Sequence, residues 1–154
     1  MSVETSSSGV DPSYAGERSA DQAWEILQAE TGACLVDVRT RAEWSYVGLS
    51  DLSSIGKQPI LVEWQHFPQM QVNGNFVAEL VARLEAAGRD DPAASMLFLC
   101  RSGVRSLAAA RAMTAYGYTN CFNVTGGFEG PKDGNGHRGG TDGWKARGLP
   151  WIQG

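Results

Sequence analysis

The residues best placed to do chemistry are Cys100-Arg101-Ser102-Gly103-Val104-Arg105-Ser106. The apolar run Met96-Leu97-Phe98-Leu99 leads into the cysteine, and Leu107-Ala108-Ala109-Ala110 follows the polar loop at once. That order predicts a sulfur at the C-terminal end of a buried strand, facing the start of a helix. Unpaired N–H groups and the helix dipole stabilise an anion there, and thiols at helix N-termini or beside arginine ionise more readily than free ones. Cys100 is therefore read as a nucleophile.

Spacing narrows the chemistry. Phosphate ester hydrolysis needs a wide Cys-x5-Arg loop, with a guanidinium gripping two oxygens from the far side. Here Arg105 is the fifth residue after Cys100 and Ser106 the sixth, one residue short of that loop. A phosphatase or arsenate reductase is thus the disfavoured alternative. The tighter arc from Cys100 to Arg105 suits a single extra sulfur atom on the cysteine, held by an anion nest of backbone N–H groups. Gly103 allows the curl without a Cβ clash. Arg101 and Arg105 are expected at the rim, where positive potential draws in an anionic sulfur donor, with Arg105 also closing the loop. Ser102 is expected to cap the following helix.

The surrounding elements follow from periodicity. Residues 1–16, rich in Ser and Gly, are expected to form a flexible tail. Ser19 with Gln22 is a capping-box pair for a helix over 20–30 carrying Ala23, Trp24, Ile26 and Leu27. Cys34–Val38 reads as a buried strand, and Thr40 with Glu43 begins a short helix behind it. A connection over 48–59 precedes a strand over Ile60–Trp64. Asn75 is placed to cap a helix with Phe76, Val77, Leu80, Val81 and Leu84, closed by Gly88. Residues 96–100 form the next strand, the helix after the loop runs to Tyr116-Gly117, and Cys121–Val124 is the last strand. Gly-rich loops follow, with a short helix around 143–147. Alternating strands and helices predict an α/β domain with a mainly parallel sheet covered on both faces, its ligands at the carboxyl ends of the strands.

Composition bounds the rest. A chain of 154 residues is one domain with a real core, and 42% hydrophobic content is ordinary for a globular protein. A net charge of −4 without a Lys/Arg run argues against a nucleic-acid partner. Cysteines at 34, 100 and 121 make neither a disulfide framework nor a zinc site, and they suit a reducing compartment. With no membrane-spanning run and no signal-peptide pattern, the expectation is a cytoplasmic chain that needs no membrane.

The loop Cys100–Ser106, together with Leu35-Val36-Asp37-Val38-Arg39, Glu43-Trp44, Gly126-Gly127-Phe128, Gly143-Trp144 and Gly148-Leu149-Pro150, resembles the rhodanese family of sulfurtransferases. The resemblance implies a rhodanese domain over 17–154, with a three-layer α/β fold around a five-stranded, mainly parallel sheet. It implies a reaction in which Cys100 takes sulfane sulfur from a donor such as thiosulfate, becomes a persulfide, and yields the sulfur to cyanide or a thiol. Arg101 to Ser106 would form the substrate-binding loop, and neither metal nor organic cofactor is called for. Two arginines in the loop resemble the thiosulfate-preferring members. The alternative is a rhodanese-like relay or interaction module serving a protein sulfur acceptor. Two departures bear on donor and acceptor: Val47–Leu52 replaces a His-x-Pro-Gly-Ala-like segment, and glycines between 130 and 143 lengthen the region before Trp144.

Other residues have blander readings. Asp37 and Arg39 are expected to support the site through an ion-pair network, with Arg39 reaching Glu43. Cys34 and Cys121, at strand starts, are expected in the core. His66 is read as a packed or surface residue, His137 as part of a flexible glycine-rich connection, and the tryptophans as core or edge packing.

Overall fold

The computed structural model describes residues 12–66, 69, 71–138 and 142–153. Its elements run β1 (Gly16–Arg18), α1 (Ala20–Ala29), β2 (Cys34–Asp37), α2 (Arg41–Tyr46), β3 (Leu49–Ser50), a 3-10 turn (Ser53–Ile55), β4 (Ile60–Leu61), β5 (Gln65–His66), β6 (Gln71–Val72), α3 (Phe76–Ala86), β7 (Met96–Leu99), α4 (Val104–Tyr116), β8 (Cys121–Val124) and β9 (Trp151–Ile152). The central sheet has five strands in the order β1-β8-β7-β2-β4, every pairing parallel. Successive strands step outward from β2 to β4, then back across β2 to β7. That reversal puts a crevice at the carboxyl ends of β2 and β7, where ligands bind in open parallel sheets.

Side-chain alternation along β7 builds the three layers. Met96, Phe98 and Cys100 turn to the face covered by α3 and α4, with Phe76, Leu80, Leu84, Ala109, Ala110 and Met113. Leu97 and Leu99 turn to the other face, against Ala20, Ala23 and Leu27 of α1 and against Phe128 and Trp144. The expected buried strands thus have both faces covered, which is why they read as continuous apolar runs.

Both capping boxes form as the sequence indicates: Ser19 with Gln22 on α1 and Thr40 with Glu43 on α2. Elsewhere the structure corrects the reading. Of the expected tail, residues 1–11 lie outside the described residues, whereas Gly16 is already in β1, paired with Phe122, and the Ala15 amide donates to the Cys121 carbonyl. The strand expected over 60–64 stops at Leu61; Trp64 instead packs edge-on against Phe76. Asn75 stands at the N-cap of α3 without capping it, and its amide donates to the Asn73 side chain. Near 143–147 there are turns, with Arg147 N donating to Gly143 O, in place of a helix. Among the described residues no helix is long and apolar enough to cross a membrane.

Candidate active site

Cys100 follows β7 directly, and the chain curls back so that the Gly103 amide donates to its Sγ at 3.0 Å. Gly103 has φ of 110° and occupies the N-cap of α4, where no side chain caps the helix. Ser102 is therefore not the cap. The first-turn amides of α4 have no side-chain acceptor, which leaves the positive end of a 13-residue helix beside the sulfur.

A second loop braces the first. Phe128 N donates to Cys100 O at 2.8 Å, and Glu129 N and Gly130 N both donate to Arg101 O at 3.0 Å. A Cβ on Gly127 would lie 2.5 Å from Cys100 O, so only glycine permits this approach. Trp144 N in turn donates to Gly127 O at 2.8 Å, and the Trp144 ring is fully buried. The Gly-Gly-Phe and Gly-Trp sequences are thus parts of one support for the cysteine loop.

Arg105 is not a free rim charge. Its guanidinium makes a two-point pair with Glu43 of α2, at 2.7 Å and 3.0 Å. Burial pushes the Glu43 carboxyl up, but hydrogen bonds and charge from Arg105 outweigh it and hold the group below its usual range. Arg39, expected on Glu43, instead grips Asp37, with Nε 3.0 Å from Oδ1 and Nη2 2.7 Å from Oδ2. Arg39 Nη2 also donates to Gly48 O at 2.7 Å, and the guanidinium lies 4.2 Å from the Phe128 ring centre. The switch of partners has a simple cause: Glu43 sits on the side of α2 facing α4, while Arg39 is turned inward and fully buried with Asp37. Arg101 is exposed and lines an open pocket of about 600 Å³ with Glu43, Glu129, Lys132, His137 and Arg138.

Ser106 lies behind the sulfur. Its Oγ is 3.1 Å from Cys100 Sγ and 2.5 Å from Asn123 Oδ1. Asn123 Nδ2 donates to the Glu17 carboxylate at 3.0 Å and to Gly103 O at 3.1 Å. Asn123 and Glu17 escaped the sequence reading. A usable signal existed for Asn123, the one polar residue in the buried run Cys121-Phe122-Asn123-Val124, since a buried amide demands partners. For Glu17 there was none.

Cys100 is only 1% exposed, so any opening at the sulfur is narrow. Cys34 and Cys121 are buried in register with Met96, at the opposite end of the strands. Burial pushes the Cys34 thiol up to about 12 and the Cys121 thiol to about 11. Cys100 lies four residue steps beyond Met96, about 13 Å at the usual rise, too far for a disulfide. His66 is 53% exposed and pairs with Glu63 on the β5–β6 hairpin. Among the described residues no cluster of His, Cys, Asp and Glu could hold a metal.

Fold and site together define a rhodanese-like α/β domain with a cysteine loop at the sheet's switch point. The chain belongs to the family described as the STR4 middle domain, whose model matches residues 15–154. It is 38% identical over 130 residues to an uncharacterized protein of Rickettsia conorii, RC0915, covering 84% of this chain and 91% of that one. It is 23% identical over 142 residues to the chloroplastic rhodanese-like domain-containing protein 4 of Arabidopsis thaliana, spanning 92% of this chain and 27% of that protein. Among solved structures, Rv0390 from M. tuberculosis matches at 48% identity with a TM-score of 0.81, covering 92% of this chain and 99% of that one. The polysulfide-sulfur transferase homodimer of Wolinella succinogenes shares the fold at 21% identity and a TM-score of 0.59, covering 90% and 78%.

Proposed function

We propose that this chain is a sulfurtransferase that carries sulfane sulfur on Cys100. The observation that bears most weight is the curl of the loop, with the Gly103 amide 3.0 Å from the sulfur and the uncapped start of α4 beside it. Such a cradle stabilises negative charge on a small atom without any side-chain cation. With thiosulfate as donor, the Cys100 thiolate attacks the outer sulfur, the S–S bond of thiosulfate breaks, sulfite leaves, and a cysteine persulfide anion remains. Cyanide or a thiolate then attacks the outer sulfur of the persulfide, and the bond electrons return to Cys100 as thiolate. Each step is a displacement at sulfur, so no electron acceptor is needed.

With Cys100 only 1% exposed, small, slender donors are favoured over bulky ones. Incubation with thiosulfate is expected to add about 32 Da, one sulfur atom bound through the nucleophilic cysteine. Cys100→Ser is expected to abolish that adduct and thiocyanate formation from cyanide. Retention of the adduct in the variant would overturn the assignment.

A protein acceptor in place of a small thiol is the second reading. It is favoured by two exposed apolar residues on the helices that carry the Glu43–Arg105 tie, Val104 at 77% on α4 and Tyr46 at 80% on α2. Exposed hydrophobic side chains on the two helices tied together near the cysteine loop suit a docking partner. A Val104→Asp substitution that slows sulfur transfer to a protein but not to cyanide would support that reading; equal effects would dismiss it.

A further inference from the structure

The contacts of Ser106 pose a question of proton counting. Its hydroxyl has one hydrogen but lies within hydrogen-bond range of both Cys100 Sγ, at 3.1 Å, and Asn123 Oδ1, at 2.5 Å. The Asn123 amide cannot supply a proton on that side. Its Nδ2 faces the Glu17 carboxylate and the Gly103 carbonyl, both acceptors, so its oxygen must be the atom turned to Ser106. Glu17 is itself set by Tyr14, whose hydroxyl donates to Oε2 at 2.5 Å. Ser106 therefore gives its hydrogen to Asn123 and offers a lone pair to the sulfur. The partner that completes this chain of bonds is Cys100 as a protonated thiol.

We infer that Asn123, oriented by Glu17, is a positioning residue that holds the Ser106 hydrogen away from Cys100 and so sets the ionisation of the proposed sulfur carrier. This rests on the reading of Cys100 given above for its functional meaning, though not for its test. Forming the bare thiolate turns the Ser106 hydroxyl toward Sγ and strips Asn123 Oδ1 of its donor inside a buried strand, an unfavourable exchange. In a persulfide the charge moves from Sγ to the outer sulfur, so the Ser106–Asn123 bond can stay. The network thus disfavours the free thiolate relative to the sulfur-loaded form.

Other charges near the sulfur come from each packed element: Arg105 of α4 with Glu43 of α2, Asp37 of β2 with Arg39, Arg101 in the loop, and Glu17 of β1. Replacing Asn123 with an apolar residue leaves the arginines, Glu43 and Asp37 with their partners and takes the Nδ2 donor from Glu17 and from Gly103 O, a loss that does not pass through the Ser106 hydroxyl. Asn123→Leu frees the Ser106 hydroxyl to donate to sulfur. The thiolate titration of Cys100 is then expected to move down by about one pH unit, the size of one hydrogen bond to a charged group.

The readout is thiolate absorbance at 240 nm against pH, each protein measured against its own Cys100→Ser counterpart. It needs neither turnover nor reagent access. The decisive control is Ser106→Ala: in that background Asn123→Leu is expected to lose most of its shift, because the hydroxyl that transmits it is gone. Should Asn123→Leu fail to melt cooperatively, Glu17→Gln replaces it, with a smaller downward shift that also shrinks in the Ser106→Ala background. An unmoved or upward titration, or a shift that survives without the Ser106 hydroxyl, overturns the inference. Absence of a persulfide with normal titration shifts would instead count against the sulfurtransferase reading alone.

Discussion

At the residue scale, the two loop arginines have separate tasks. Arg105 is neutralised by Glu43, whereas Arg101 is exposed beside Lys132 and Arg138. Under the proposed function, long-range attraction of an anionic donor would fall to Arg101 together with Lys132 and Arg138. Arg101→Ala is expected to raise the KM for thiosulfate several-fold at low salt, with the difference from the parent shrinking as salt rises above about 0.1 M. A salt-independent difference would remove the steering role. The Glu43 pair makes a different prediction, about stability. Its folded pKa is held below the usual value, so the stabilisation is present above the ordinary carboxylate pKa and is lost as pH falls through the lowered value. Glu43→Gln is expected to lower unfolding free energy by about 1–2 kcal/mol at pH 7, since a hydrogen bond to a charged group is weakened. The gap to the parent should close on acidification, as denaturant melts at pH 7 and pH 3 would reveal.

At the scale of elements, the cysteine loop holds its shape because a second loop lies against its backbone. Gly127, with φ of 62°, brings Phe128, Glu129 and Gly130 amides onto the Cys100 and Arg101 carbonyls. Gly127→Ala combines a left-handed backbone with a Cβ that would meet three backbone atoms of that loop under 3.0 Å. The conformation alone costs about 1–2 kcal/mol, and the clash must also open the loop. The expected outcome is a lowered melting temperature together with loss of persulfide formation. Gly134→Ala, where a Cβ meets nothing within 4 Å, is the matched control and is expected to leave both unchanged. Equal behaviour of the two variants would show that the brace is dispensable.

At the scale of the whole molecule, Arg39 is a shared fastener. It joins the end of β2 through Asp37, the turn before β3 through Gly48 O, and the C-terminal segment through the Phe128 ring. Both charges of the pair are fully buried. Removing one leaves the other stranded at low dielectric, which costs about 3–5 kcal/mol. Arg39→Ala is expected to lower the melting temperature by roughly 6–20 °C, taking about 2–4 °C per kcal/mol for a domain of this size. Arg39→Lys should recover little, because an ammonium cannot make the two-point grip on Asp37 and stack on Phe128 together. A calorimetric melt within a degree or two of the parent would refute the fastener.

What could be read along the chain is what neighbouring residues settle among themselves. The capping boxes of α1 and α2, the apolar runs of β2, β7 and β8, and the short loop from Cys100 to Arg105 all depend on bonds or periodicities a few residues long. β1 was hidden because Gly-Glu-Arg has no strand-like composition, and its identity comes from pairing with Phe122, Asn123 and Val124. Likewise, which carboxylate Arg105 meets, which acceptor Arg39 takes, and how Asn123 links Ser106 to Glu17 follow from packing α2 beside α4 and β1 beside β8. Charge and hydrogen-bonding capacity are written in each residue. The choice of partner among several chemically equivalent ones belongs to the assembled fold, because only burial and proximity make one pairing stronger than the rest.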